Sequence, residues 1–182
     1  AALGLRSEAG EEEARGGGGG GGGTCRTLVF DPILSAMEKE VLERGFEFTS
    51  IGANERGKRT VQAPTVFYMP HCGRGMYNNV IWANWGANLG RIAVVGNSLS
   101  SYAEGGKSNP SVSAAIASII AASPHVKETR IPDADADKEL RYVFNDTSFH
   151  TFSRLPKDKP PPPELKKVDD DSKTGGRTDE II

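Results

Sequence analysis

The sequence predicts an α/β domain: a Rossmann-like, mainly parallel sheet with flanking helices and an antiparallel edge strand. Three observations carry that expectation. Between residues 25 and 153, apolar segments of strand length alternate with segments of helical periodicity, the pattern of helices covering a sheet. Two strand segments, TVFYM (65–69) and RIAVV (91–95), are continuously apolar, as parallel strands buried on both faces are. The last two strand segments follow one another without a helix between them, which suits an antiparallel pair.

RTLVF (26–30) is the first strand of this domain. Asp31-Pro32 supplies an N-cap and a proline at the first helical position. Leu34, Met37 and Val41 follow at helical spacing, and Gly45 stands where that helix would stop. FEFTSI (46–51) alternates like a half-buried strand, and NERGKR (54–59) is a polar turn. TVFYM is ended by Pro70. Met76, Tyr77, Val80, Ile81 and Trp85 recur at spacings of three and four, predicting a helix over 75–88 closed by Gly90. RIAVV runs into Gly96-Asn97-Ser98. Asn109-Pro110 opens a further helix with Val112, Ile116, Ile119 and Ile120 on one side. VKETRI (126–131) and LRYVF (140–144) are the last two strands.

Both ends differ from this middle. Residues 1–24 include eight consecutive glycines, Gly16 to Gly23, which carry a large backbone entropy and no side chain to bury. A phosphate loop would need a strand before the glycines and Lys-Ser or Lys-Thr after them; Thr24-Cys25-Arg26 follows instead. Residues 154–182 are rich in proline and mixed charge, so this tail, like the leader, is expected to be disordered. The Pro160–Pro163 run favours polyproline II and is either a partner ligand or a solvated segment.

The formal net charge of the 182-residue chain is −2, so no direct nucleic-acid signature is present. No apolar run reaches the ~20 residues that span a bilayer, so no membrane association is expected. No secretory leader is visible, and Glu11, Glu12 and Glu13 argue against a transit peptide. Cys25 and Cys72 read as two free thiols of a reducing compartment, and the expected location is the cytoplasm and nucleus.

Ligands of such sheets bind beyond the carboxyl ends of the strands. The polar residues placed there are Asp31, His71, Cys72, Asn97, Ser98, Asn145 and Asp146. Each also has an ordinary reading, since Asp, Asn and Ser cap helices and make turns; for Asp31 the helix-start reading is the stronger one. Asn84 and Asn88, four apart and poor helix formers, mark either a polar role or local capping. Trp82 and Trp85 fit helix packing better than a stacking platform.

His71-Cys72 raises three chemistries. Zinc is disfavoured because the CxxC and HxxxH spacings are missing, and no metal site is assigned. A Cys before a helix N-terminus can have a lowered pKa, with His71 or His150 as base. Haem iron is a third reading, resting on ligand type alone. The ordinary alternative is a packed His and a buried thiol at a strand–helix corner. DADAD (133–137) opens like a calcium loop but lacks its glycine and its final glutamate. GNSLS (96–100) lacks nucleophile-elbow spacing, and no dinucleotide or P-loop fingerprint occurs. Catalytic residues are therefore unassigned, and a non-enzymatic role is favoured.

FDPILSAMEKEVLERG, FYMPHC…MYNNVIWANW, VVGNSLSSY and FNDTSFHTF, in that order from Phe30 to Phe152, resemble the sensitivity-to-red-light-reduced (SRR1-like) domain family in a plant-like form. The resemblance implies an SRR1-like α/β domain at 25–153 and a regulatory protein like circadian-clock and phytochrome B light-signalling factors, acting through protein partners or a small ligand. The alternative it leaves is a haem-responsive binder, or an enzyme of unassigned chemistry, using a crevice around His71/Cys72 and Asn97/Ser98. It implies no catalytic residues. The family's recurrent positions fall here on Asp31, Pro32, Glu38, Met69, Pro70, His71, Cys72, Tyr77, Asn84, Trp85, Gly96, Asn97 and Ser98. The family domain begins with a strand and helix upstream, where this chain has its glycine-rich segment; the resemblance thus implies a missing first unit and an exposed sheet edge.

Overall fold

In the computed structural model, which describes residues 2–7, 25–131, 144–156 and 160–164, seven strands form one sheet. They are β1 (Ala2–Ser7), β2 (Cys25–Phe30), β3 (Thr49–Ser50), β4 (Thr65–Met69), β5 (Ile92–Asn97), β6 (Val126–Arg130) and β7 (Thr147–Phe152). Their spatial order is β3-β2-β1-β4-β5-β7-β6. Among the described residues five α-helices accompany them: α1 (Ala36–Phe46), α2 (Arg74–Ala83), α3 (Leu99–Gly106), α4 (Pro110–Ala115) and α5 (Ala117–Ala122). No helix among the described residues is long and apolar enough to cross a membrane.

The α/β class holds, but the sheet is mixed rather than mainly parallel. Only β2–β3 and β4–β5 pair in parallel. β1 pairs antiparallel with both β2 and β4, and β7 pairs antiparallel with both β5 and β6. The reason is the two reversed strands: β1 and β7 each lie between strands of the opposite direction. β6, at one edge, is antiparallel to its neighbour β7, so the sheet has the expected antiparallel edge strand.

The segment 2–7 therefore corrects two expectations. It is a strand in the middle of the sheet, not part of a disordered leader, and it supplies backbone partners to β2 on one side and β4 on the other. The edge that a missing first unit would have left open between β2 and β4 is thereby filled. In sequence, ALGLRS alternates Leu3 and Leu5 with Gly4 and Arg6, a strand pattern within a short segment. The glycine run lies outside the described residues.

The core lies on one face of the sheet. Along β4, Thr65, Phe67 and Met69 are buried while Val66 and Tyr68 are half-buried; along β5, Ile92, Val94 and Gly96 alternate likewise. Register places Phe67 beside Val94 and Met69 beside Gly96, so the buried positions line up. Tyr77, Val80 and Ile81 of α2 and Ile116 and Ile119 cover them, each at most 1% exposed. The crossover β2–α1–β3 runs outward in the opposite sense to β4–α2–β5, so right-handed connections put α1 on the other face. There α1 buries none of its residues, and Met37 and Val41 are 76% and 53% exposed.

Several boundaries move. Asp31 does not cap α1; its Oδ1 accepts from the Ile33 amide at 3.1 Å in a local turn. Ser35 is the cap, forming a reciprocal capping box with Glu38. α2 ends at Ala83 rather than 88, because the Asn84 side chain takes over backbone bonds there, and residues 86–91 form a 3₁₀ turn. FEFTSI shrinks to Thr49–Ser50. The helix opened by Asn109 breaks at Ile116 into α4 and α5, and α3 was not anticipated. Residues 140–143 of LRYVF lie outside the described residues, and Phe144 sits in a bend. Beyond it TSFHTF forms β7, a strand that was not anticipated.

The tail expected to be disordered from 154 is partly placed. Leu155 is 3% exposed, its amide donates to Gly86 O at 3.4 Å, and Pro162 O accepts the Trp82 indole N–H at 3.1 Å.

Candidate functional site

The ends of β2, β4 and β5 and the start of β7 share one edge of the sheet, because β7 enters antiparallel where β5 leaves. Asp31, His71, Cys72, Asn97, Ser98, Asn145 and Asp146 all stand along it. His71 and Asp146 both adopt left-handed backbone, with φ of 57° and 60°, which turns the chain sharply as each strand ends or begins.

Two tyrosines, not anticipated as site residues, hold this rim together. The Tyr77 hydroxyl donates to Met69 O and accepts from the Asn97 amide at 3.0 Å, tying the ends of β4 and β5 to α2. A Cβ on Gly96 would lie 2.6 Å from the Tyr77 ring and hydroxyl, so glycine is what admits this phenol. Asn97 Oδ1 accepts the His71 amide at 2.8 Å and Nδ2 donates to the Tyr102 hydroxyl at 2.9 Å. The Tyr77 and Tyr102 rings are 5.9 Å apart and tilted. Burial pushes the Tyr77 phenol far up and the Tyr102 phenol up as well, so both remain neutral hydrogen-bonding groups. At Tyr102 the Asp146 charge adds to that rise, while the Asn97 bond and the Arg74 charge oppose it. Arg74 opens α2 and Asp146 directly precedes β7, both at this edge of the sheet.

Cys72 is half-buried, and burial raises its thiol pKa, with the Asp31 carboxylate adding to the effect. The expected lowering at a helix N-terminus does not win, because the sulfur is desolvated. His150 is not its base. The imidazole lies in β7, fully buried, with Nδ1 3.1 Å from Val94 O and Nε2 accepting the Leu99 amide at 3.4 Å. Both ring nitrogens are engaged on the core face of the sheet.

Ser98 caps α3: its Oγ accepts from the Ser101 amide at 3.1 Å and lies 3.0 Å from Ser100 Oγ. Its own amide donates to Asp146 O at 3.0 Å. Glu128 of β6 accepts the Ser100 amide at 3.0 Å and stands 3.5 Å from His150 Nε2. Burial alone would raise this carboxyl, but hydrogen bonds from Ser98 and Ser100 win and lower it. Thr147, paired opposite Asn97, is fully buried, and its Oγ1 has no hydrogen-bond partner among the described residues.

Asn84 does not belong to this rim. It sits at the far end of α2, fully buried, accepting the Val61 amide at 2.8 Å and donating to Arg59 O and Val80 O at 2.8 and 2.9 Å. The other asparagines of this stretch also link elements: Asn78 accepts the Ser118 amide from α5 at 2.8 Å, and Asn79 donates to Arg56 O at 2.8 Å. They were chosen against helix propensity for their two-sided amides. Asn145 is exposed at the start of the β7 turn.

The residues present do not fit a haem at His71/Cys72. His71 is exposed at the sheet edge and Cys72 is only half-buried, so the pair does not stand in a closed apolar pocket. The apolar cavity lined by Met69, Met76, Phe67 and Val80 measures about 40 Å³ and includes neither residue, room for a water rather than a porphyrin. The rim supplies neutral phenols, an amide, a hydroxyl and opposed Arg74 and Asp146 charges. Such a set can hydrogen-bond and pair with polar groups.

The SRR1 domain family matches residues 6–151. An SRR1-like protein of Mus musculus is 51% identical over 72 residues, 38% of this chain and 28% of that protein. Protein SENSITIVITY TO RED LIGHT REDUCED 1 of Arabidopsis thaliana is 38% identical over 126 residues, 69% of this chain and 45% of that protein. An SRR1-like protein of Drosophila melanogaster is 31% identical over 126 residues, 69% of this chain and 42% of that protein. The chain thus spans less than half the length of each of these relatives. No solved structure matches.

Proposed function

The chain belongs to the SRR1 domain family, and from that premise we propose that it is a regulatory protein of red-light signalling that works by recognising a polar ligand or partner at the strand-end rim. The observation that carries the signalling reading is the 38% identity to Protein SENSITIVITY TO RED LIGHT REDUCED 1 of Arabidopsis thaliana across 126 residues. The chemistry of the rim favours recognition over catalysis: the Cys72 thiol is held protonated, and the His150 nitrogens are engaged in the core. Arg74, Tyr102 and Asp146 are the contact groups, with Thr147 Oγ1 a buried hydroxyl whose bonding capacity is unused. Protein partners and a cytoplasmic and nuclear location belong to the same proposal.

Expression of the chain in Arabidopsis thaliana plants lacking Protein SENSITIVITY TO RED LIGHT REDUCED 1 tests this. The red-light growth response is expected to recover with the parent sequence. It is expected to be weakened by Arg74→Ala combined with Asp146→Asn, the latter keeping a residue tolerant of left-handed backbone. A soluble, folded chain that restores nothing removes the signalling reading. Equal recovery with the double variant removes the rim.

A further inference from the structure

At the opposite end of α2, roughly 15 Å along the helix axis from the rim, lies an open groove of about 600 Å³. It is lined by Lys58, Thr60, Trp82, Trp85, Gly86 and Pro161 among others. The chain's own tail occupies part of it. Leu155 anchors the strap in the core, and the run Pro160–Pro163 then crosses Trp82, whose Nε1–H donates to Pro162 O at 3.1 Å. Glu164, directly after the prolines, meets Lys58 Nζ at 2.6 Å. The same Lys58 ammonium stands 5.8 Å from the Trp82 ring centroid, within cation–π range.

These contacts have the chemistry of proline-rich recognition. Four consecutive prolines fix φ and favour polyproline II, whose carbonyls have no internal partners and point outward. An aromatic-lined groove with an indole donor reads such a carbonyl, and the low entropy of the extended run lowers the cost of docking. Lys58 adds a directional requirement, since its partner carboxylate follows the prolines.

We propose that the groove formed by Trp82, Trp85 and Lys58 is a receptor for proline-rich segments of a partner protein that carry an acidic residue just after the prolines. The segment Pro160–Glu164 is its occupant in cis. The tether between Leu155 and Pro160 is short, so the cis segment acts at an effective concentration on the order of millimolar. A partner segment must compete with it, and anything that lifts the tail opens the groove.

The test uses a dye-labelled peptide with the sequence of residues 159–165, KPPPPEL, and full-length chain, read by fluorescence anisotropy. Replacing Pro160, Pro161, Pro162 and Pro163 by serine vacates the groove while keeping Leu155. This vacated chain is expected to bind the peptide more tightly than the parent, by about twofold for a segment of millimolar affinity and about tenfold for one of ~0.1 mM, because a tethered competitor at millimolar effective concentration raises the apparent Kd by that ratio. Adding Trp82→Phe, which keeps a ring and removes the donor, is expected to weaken that binding about threefold to tenfold, the worth of one hydrogen bond. A peptide with Gln in place of Glu is expected to bind more weakly and with less dependence on salt. As a milder opening that leaves the prolines in place, Glu164→Gln in the parent is expected to give an intermediate gain. The proposal is overturned if the vacated chain, folded by near-ultraviolet circular dichroism, does not bind the peptide at millimolar concentration. It is equally overturned if the vacated and parent chains bind alike, or if Trp82→Phe leaves the affinity unchanged. Should the four-serine chain not fold, an affinity of Glu164→Gln no higher than that of the parent overturns it.

Discussion

His150 shows how one residue couples the fold to pH. Burial pushes its imidazole pKa below the ordinary 6.5, while Val94 O and the charges of Glu128 and Asp146 oppose the shift only in part. The folded chain thus binds fewer protons than the unfolded chain at mildly acid pH. Stability from this residue is fully present above pH 6.5 and is lost as pH falls through that value. Glu128, whose carboxyl is lowered from 4.5, adds a second loss further into acid. Urea unfolding across pH is expected to give a flat free energy near neutrality and a decline that sets in below about pH 6.5. In His150→Gln the decline just below about pH 6.5 is expected to flatten; an unchanged slope would assign the effect to other groups. The sequence put His150 beside the rim because it follows Asn-Asp-Thr-Ser. Its true place follows from register, since Val94 pairs with His150 and shares its core-facing side.

α2 was the best-read element, yet its C-terminal end was misjudged. Its apolar spacing gave the buried face, and Tyr77, Val80 and Ile81 are all on it. The pattern could not show that Asn84 ends the helix, because that follows from Val61 and Arg59 of a distant loop. Here Asn84→Ala leaves the buried Val61 amide and two carbonyls without their partner. It is expected to cost about 2–4 kcal/mol, measured as a lower urea midpoint at unchanged m-value. Asn84→Asp keeps the acceptor for Val61 but sets an anion against Arg59 O and Val80 O, so it is expected to recover little. A loss below ~0.5 kcal/mol in the alanine variant would mean water replaces the amide fully. Likewise Trp82 was read as a packing residue by its spacing from Trp85, and only the return of the tail from 80 residues away gives its indole a carbonyl. The rim was half legible: strand ends located Asn97, His71 and Asp146, while Tyr77 and Tyr102 were read from helical position or left unremarked.

Across the whole molecule, local pattern gave the α/β class but not strand direction. Apolar runs look alike whether their neighbours are parallel or antiparallel, and β1 pairs with β4 across a long separation in sequence. The sheet depends on this strand, because without it β2 and β4 each lose a row of hydrogen bonds and β3–β2 is parted from the rest. Leu5→Pro in the full chain removes an amide from a central strand and is expected to cost about 3 kcal/mol or more. The expected readouts are a lower thermal midpoint and concentration-dependent light scattering from the opened edges. A chain that unfolds like the parent would show that β1 contributes nothing to holding the two halves together.

The central place of β1 also sets a schedule for synthesis. Ser7 leaves the ribosome long before Thr65 to Met69, the strand it must pair with on its second side. At ~5–20 residues per second the wait is roughly 3–12 s. During it β1 can pair only with β2, as a half-finished hairpin with one bare edge. Whatever slows elongation between these two strands lengthens that exposure of an unpaired edge.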